Sequence, residues 1–318
     1  MPVHAFVFPG QGSQAVGMGR DLAVAFAAAR ELFEEIDETL KQKLSKLMFE
    51  GPAEELTLTE NTQPALLAHA LAVLRVIERE GNIRLADKAA VVAGHSLGEY
   101  TALAAAGAFS ASAAARLLRL RGIAMQKAVP AGTGAMAALL GAELPLATEI
   151  CAEAADGPEG KEVVDPANDN GGGQVVISGH KGAVDRAVEI AKRKGVRRTM
   201  LLQVSAPFHC ALMAPAADAM AEALAATSPG APVVPVIANV TAAKESDPSE
   251  IMQNLVRQVT ATVRWRESVN AMTELGVDSF VELGAGKVLS GLVKRIAPDA
   301  ATTGAGTPAD IEQLLKTL

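Results

Sequence analysis

The pentapeptide Gly94-His95-Ser96-Leu97-Gly98 stands between a β-branched apolar run at 88–93 and a helical pattern at 99–106. A G-x-S-x-G sequence in that setting predicts a sharp strand-to-helix turn that lifts the serine hydroxyl above the edge of a sheet. Glycines flank the serine because a Cβ at either place would collide with neighbouring backbone. Such a turn requires a strand set in a sheet and a helix packed on it, the repeating unit of α/β architecture. The N–H of the following residue, Leu97, then points to where an oxyanion would develop. The plainer reading of the same residues is a βα turn in which Ser96 caps a helix.

The rest of the chain carries the alternation this architecture needs. Residues 3–8 read as a buried strand ending at Pro9-Gly10, 21–46 as one alanine-rich helical stretch, and 62–80 as a helix stopped by Gly81. Another helix is expected over 112–129. From 132 to 204 the order becomes β-α-β-β-α-β, with strands at 135–140, 162–166, 174–178 and 198–204 and helices at 146–155 and 183–194. That is the split βαβ order of a ferredoxin-like unit. Alternation then resumes, with helices at 211–226, 249–259, 265–275 and 288–296 and strands at 233–239 and 279–283. The Ala/Gly/Thr-rich stretch 300–307 reads as a loose connector to a final short helix. The expected fold class is α/β: a parallel sheet covered on both faces, built from 1–131 and 205–318, with a ferredoxin-like subdomain inserted at 132–204.

Composition removes several function classes. A chain of 318 residues suits about two structural units at roughly 150 residues each. A net charge of -7 and only 3% aromatic residues argue against nucleic acid, which needs a basic groove and stacking faces. Cys151 and Cys210 are too few for a disulfide framework or a zinc cluster and read as free thiols in a reducing compartment. The N-terminus lacks a signal-peptide pattern, and no run reaches the ~18 apolar residues of a membrane span. The expectation is a soluble, cytoplasmic protein with no metal, cofactor or membrane partner.

A nucleophilic serine needs a base, and the chain has five histidines. His4 begins the first strand, His69 lies mid-helix, and His180 sits in a turn of the 132–204 segment. His95 adjoins the serine, where neighbouring side chains diverge. His209 lies between a strand and a helix, the junction that faces the ligand crevice of an α/β sheet. The Gly10-Gln11-Gly12-Ser13-Gln14-Ala15 loop fits a loose dinucleotide fingerprint. No acidic residue ends a second strand about 20 residues on, since Glu31 and Glu34 fall in a helical pattern. The loop can instead supply the Gln11 N–H as a second oxyanion donor. Arg121 precedes Gly122, where little bulk would let a guanidinium reach inward. Lys192-Arg193-Lys194 and Arg197-Arg198 form a basic run on an acidic chain.

Together the segments FPGQGSQ (8–14), GHSLGEY (94–100), LLRLRG (117–122), GGQVVISG (172–179), SAPFHC (205–210) and LVRQVTATVRW (255–265) resemble the malonyl-CoA:acyl-carrier-protein transacylase family of fatty acid synthesis. The matches are colinear across nearly the whole chain. The resemblance implies an α/β-hydrolase-like core with an inserted ferredoxin-like subdomain. It implies Ser96 as nucleophile, His209 as base, and the Gln11 and Leu97 N–H groups as the oxyanion hole. Arg121 would hold the malonyl carboxylate, and the Gln258 main-chain carbonyl would orient the histidine. His95 and Asn168 match secondary active-site positions, although the loop holds two asparagines. Phe208 matches a bulky position that selects against branched acyl groups. The implied partners are malonyl-CoA, CoA and an acyl carrier protein, with the chain a monomer and the basic run at 192–198 a docking surface for the acidic carrier. The alternatives are a serine hydrolase or thioesterase, which would need an acid among Asp156, Asp165, Asp169 and Asp185, and a nucleotide-binding module using the 10–15 loop.

Overall fold

The computed structural model describes residues 2–318. Its strands in chain order are β1 His4–Phe8, β2 Ala89–Gly94, β3 Gly134–Leu140, β4 Asp156–Gly157, β5 Gly160–Lys161, β6 Val164–Asp169, β7 Gln174–His180, β8 Arg198–Leu201, β9 Val236–Ile237, β10 Lys244–Glu245, β11 Ser279–Leu283 and β12 Ala301–Ala305. Six of them form one sheet in the order β10-β9-β2-β1-β11-β12. All its neighbours pair parallel except β10, which runs antiparallel to β9. The pleat sends alternate residues to opposite faces. Phe6 and Phe8 of β1 enter the larger apolar core, while Ala5 and Val7 pack with Trp265, Val269 and Phe280 on the other side.

The second sheet has four antiparallel strands in the order β6-β7-β3-β8. Helices Leu144–Ala154 and Lys181–Arg193 cover one face, where Ala137, Leu139, Val175 and Ile177 meet Ile150, Val184 and Ile190. Met136, Ala138 and Val176 point the other way and join the larger core. The fold is thus mixed α/β, a parallel sheet with an antiparallel α+β layer packed beside it.

Several elements differ from the sequence reading. The stretch 300–307 is not a loose connector: β12 pairs with β11 from Ser279↔Ala301 to Leu283↔Ala305. Its small residues carry weak strand propensity, but a sheet edge supplies backbone partners that no local pattern reveals. The helical stretch 21–46 is three helices, Arg20–Ala25, Ala27–Leu40 and Leu44–Glu50. Phe26 is extended between the first two, and Lys41 adopts a left-handed φ of 50° that ends the second. The Asp37 carboxylate then accepts the Ser45 N–H at 2.8 Å and starts the third. The predicted strand 233–239 contracts to β9. The strand at 162–166 shifts to β6, which carries Asn168 to an isolated parallel bridge with Val263.

Candidate active site

β2 ends at Gly94, and helix Leu97–Ala105 starts three positions on. Ser96 turns the corner with φ 54° and ψ −111°, a strained conformation for a side-chain-bearing residue. The space around it explains both glycines. A Cβ on Gly94 would lie 1.9 Å from the Gly98 carbonyl oxygen, and one on Gly98 would lie 2.3 Å from that of Phe8. Asn239, just past β9, pins the corner: its Oδ1 accepts the Ser96 N–H at 2.8 Å and its Nδ2 donates to the Gly94 carbonyl at 2.7 Å.

His209 also has positive φ, 58°, and presents Nε2 2.7 Å from Ser96 Oγ. Its Nδ1 lies 2.8 Å from the Gln258 main-chain carbonyl. A carbonyl can only accept, so Nδ1 carries the proton and Nε2 offers its lone pair to the serine hydroxyl. Burial, reinforced by the Arg121 cation, pushes His209 down to about 3 despite the opposing Gln258 hydrogen bond. The imidazole is therefore neutral at physiological pH, and its Nε2 lone pair faces the hydroxyl whose proton it takes. None of the four aspartates takes the orienting place. Asp165 accepts the Ala211 N–H at 3.3 Å, Asp169 pairs with Arg266 at 2.8 Å, Asp185 with Lys181 at 2.6 Å, and Asp156 sits exposed in β4.

Arg121 is buried with 1% exposure. Its Nη1 donates to Gln63 Oε1 at 2.8 Å, and Nη2 to Gln258 Oε1 at 2.9 Å and Ser96 Oγ at 3.2 Å. The Tyr100 ring lies 5.7 Å below its Cζ. All these partners are neutral, and burial works against the charge, so the guanidinium is a buried cation lacking a directly bonded anion. Gly122 makes the placement possible. A Cβ there would lie 2.5 Å from Glu60 Cα, so its absence lets helix Ala111–Lys127 press against helix Thr59–Gly81.

Because Asn239 takes the Ser96 N–H, the free donors beside the hydroxyl lie elsewhere. Leu97 begins its helix, so its N–H has no intrahelical acceptor. The Gln11 N–H finds no acceptor among the described residues. Loop 10–15 is packed on the elbow, since a Cβ on Gly10 would meet the His95 carbonyl at 2.7 Å. The next helix starts only at Arg20, too late for a dinucleotide fingerprint, whose helix opens within the glycine loop.

Gln11, His95, Ser96, Leu97, Arg121, Asn168, Phe208 and His209 line one cavity of about 120 Å³, closed by Gln63, Met125, Met136, Leu202 and Val204. Gln258 stands behind His209. His95 donates from Nε2 to Asn170 Oδ1 at 2.9 Å, so of the loop's two asparagines it is Asn170 that bonds the histidine. Burial lowers His95 below its ordinary value. His69 lies apart and contacts the Gly306 carbonyl at 3.0 Å. It lines a wider cleft of about 540 Å³ between the 13–22 segment and the loops that follow β11 and β12, where its Nε2 meets a carbonyl rather than a hydroxyl. The first half of the basic run is paired, Lys192 with Glu189, Arg193 with Glu153, and Lys194 with Glu149 and Glu153, while Arg197 and Arg198 form no ion pair among the described residues. Sequence reasoning missed Gln63, Asn239, Asn170 and Glu99, whose contacts to Arg121, Ser96, His95 and Gln258 come from distant parts of the chain.

The chain matches the acyl transferase domain family over residues 5–302. It is 46% identical over 314 residues to the malonyl CoA-acyl carrier protein transacylase of Bacillus subtilis, covering 99% of this chain and 96% of that protein. It superposes on the acyl-carrier-protein-S-malonyltransferase of Bartonella henselae with a TM-score of 0.95 at 53% identity, covering 99% of both chains. A malonyl-transacylase solved in complex with a type II PKS acyl-carrier protein is 43% identical, with a TM-score of 0.94, covering 99% of this chain and 100% of that one.

Proposed function

The chain belongs to the acyl transferase family, among the malonyl CoA-acyl carrier protein transacylases, and from that premise we propose how its own residues carry the reaction. It is a transferase that moves a malonyl group from malonyl-CoA to the phosphopantetheine thiol of an acyl carrier protein, for fatty acid synthesis. Ser96 Oγ attacks the thioester carbonyl and its proton passes to His209 Nε2. The Gln11 and Leu97 N–H groups hold the oxyanion. The C–S bond breaks and the CoA thiolate takes the proton from His209. The carrier thiol then gives its proton to His209 and attacks the malonyl-serine. The C–O bond breaks and Ser96 recovers its proton, completing a ping-pong cycle.

Arg121 selects the acyl group. A guanidinium fork matches a carboxylate, and here it waits with neutral partners only. Phe208 bounds the acyl pocket, and His95 and Asn168 line it. The observation that carries the reading is the convergence on one hydroxyl. The base lies 2.7 Å from Ser96 Oγ and the cation 3.2 Å from the same atom. We further infer that the chain divides into a core of 1–131 and 205–318 and an inserted unit of 132–204, supported by the unit's separate apolar cluster. We also infer that it acts as a cytoplasmic monomer; among the described residues no helix is long and apolar enough to cross a membrane.

The test is CoA release from malonyl-CoA. Without carrier protein, a single-turnover burst is expected, followed by steady turnover once carrier is added. Continuous release without carrier would make the protein a hydrolase.

A further inference from the structure

Beneath the elbow lies a buried carboxyl that the reaction does not use. Glu99, in the first turn of helix Leu97–Ala105, is 0% exposed. Its Oε2 accepts the Asn239 N–H at 2.9 Å and Gln258 Nε2 at 2.9 Å. Both partners serve the site directly. Asn239 pins Ser96, while Gln258 holds His209 through its main chain and Arg121 through its side chain.

The Gln258 amide is the node of this arrangement. Its Nε2 also donates to the Ser96 carbonyl at 2.9 Å, and its Oε1 accepts Arg121 Nη2 at 2.9 Å. The opposite amide orientation would set N–H against the guanidinium N–H and oxygen against the Glu99 and Ser96 oxygens. The acceptors at Glu99 and Ser96 together therefore set which end of the amide Arg121 meets, and Glu99 is the side-chain member of the pair. We propose that Glu99 is a positioning residue for acyl selection: it fixes the orientation of the Gln258 amide and, through it, aims Arg121 at the substrate carboxylate. The proposal rests on the reading of Arg121 as the malonyl clamp.

The surroundings of Glu99 fit an uncharged carboxyl. Glu245 on β10, Arg121 on helix Ala111–Lys127 and Tyr100 on its own helix are the ionisable groups that face it. Burial and then the neighbouring Glu245 carboxyl push Glu99 well above the ordinary carboxylate range. Neither Glu99 Oε1 nor Glu245 Oε1 has a partner among the described residues. No carboxylate bonds Arg121 directly, so the substrate carboxylate is the first anion to pair with the guanidinium fork.

The experiment measures kcat and KM with malonyl-CoA and acetyl-CoA for Glu99→Met, Glu99→Gln, Gln258→Met and Arg121→Ala. Methionine keeps the volume but offers no comparable acceptor, and glutamine keeps a neutral acceptor. The preference for malonyl over acetyl in kcat/KM should fall about tenfold or more in Glu99→Met, mainly through KM for malonyl-CoA, and stay within about threefold of wild type in Glu99→Gln. Gln258→Met should lose the preference in the same way, which keeps the test open if Glu99→Met does not fold. Retained preference in Glu99→Met or Gln258→Met, or its loss in Glu99→Gln, would overturn the proposal. If Arg121→Ala impairs both acyl groups equally, the clamp reading itself fails. If it spares acetyl while Glu99→Met leaves the preference intact, the proposal about Glu99 fails alone.

Discussion

The helix-covered face of the antiparallel layer and the parallel-sheet body bury similar apolar side chains but treat polar groups in opposite ways. Under the four-stranded sheet the packed cluster is Ala, Leu, Ile, Val and Cys151. Its charged groups pair outside that cluster, as in Lys181–Asp185 and Arg186–Glu162, both at 2.6 Å. The body instead buries Gln63, Glu99, Arg121, His209, Asn239, Glu245 and Gln258. Apart from Glu245, which bonds Asn254, they are joined hydrogen bond to hydrogen bond around Ser96. One region is built for packing. The other holds a polar constellation in a water-poor setting, where each partner is worth more and each loss is felt by the chemistry.

That contrast can be sharpened by substitution. Arg121→Ala should give the largest change, raising the barrier to malonyl transfer by about 2–4 kcal/mol while sparing acetyl transfer. Steady-state kinetics with the two CoA esters checks it, and equal losses would make Arg121 structural. In the other region, Ile177→Val removes one methylene from the cluster and should lower stability by about 1 kcal/mol. Denaturant unfolding should show that loss while kcat of the folded enzyme stays at the wild-type value. A changed kcat would blur the distinction between the regions.

Titration probes the same boundary. His209, held down at about 3 against an ordinary 6.5, contributes stability that is complete above 6.5 and is lost as pH falls toward about 3. The buried carboxyls of Glu99 and Glu245, both raised above 4.5 chiefly by burial, contribute stability that is complete below 4.5 and is lost as pH rises through their raised range. Thermal melting between about pH 6 and about pH 9 should therefore show an alkaline loss that shrinks in Glu99→Gln. An identical loss in the variant would place the titrating group elsewhere. The smallest effect is expected at the basic run, whose lysines already pair with Glu189, Glu149 and Glu153. Reversing Lys192 and Lys194 to Glu should leave KM for the carrier protein unchanged, whereas a selective rise would restore that surface as a docking site.

What the sequence revealed follows the same division. The elbow was legible because its requirement is local: two glycines, one serine, a strand before and a helix after. The alternation of the layer was legible because β3 and β7 place apolar residues toward their helices in an ordinary strand period. Gln258 entered through family resemblance, since nothing in its own helix marks a main-chain carbonyl as special. Glu99 and Asn239 left no local trace, because their partners lie some 140 positions apart. β12 was missed for a related reason. Its Ala, Thr and Gly residues become a strand only through the neighbouring edge of β11.

The central claim is that one hydroxyl, on Ser96, carries the acyl group between donor and carrier. Peptide-mapping mass spectrometry of the protein mixed with malonyl-CoA tests it directly. One malonyl group should appear on the peptide containing Ser96, should be absent from Ser96→Ala, and should be discharged when carrier protein is added. An adduct on another residue, or one that the carrier protein cannot remove, would contradict the account.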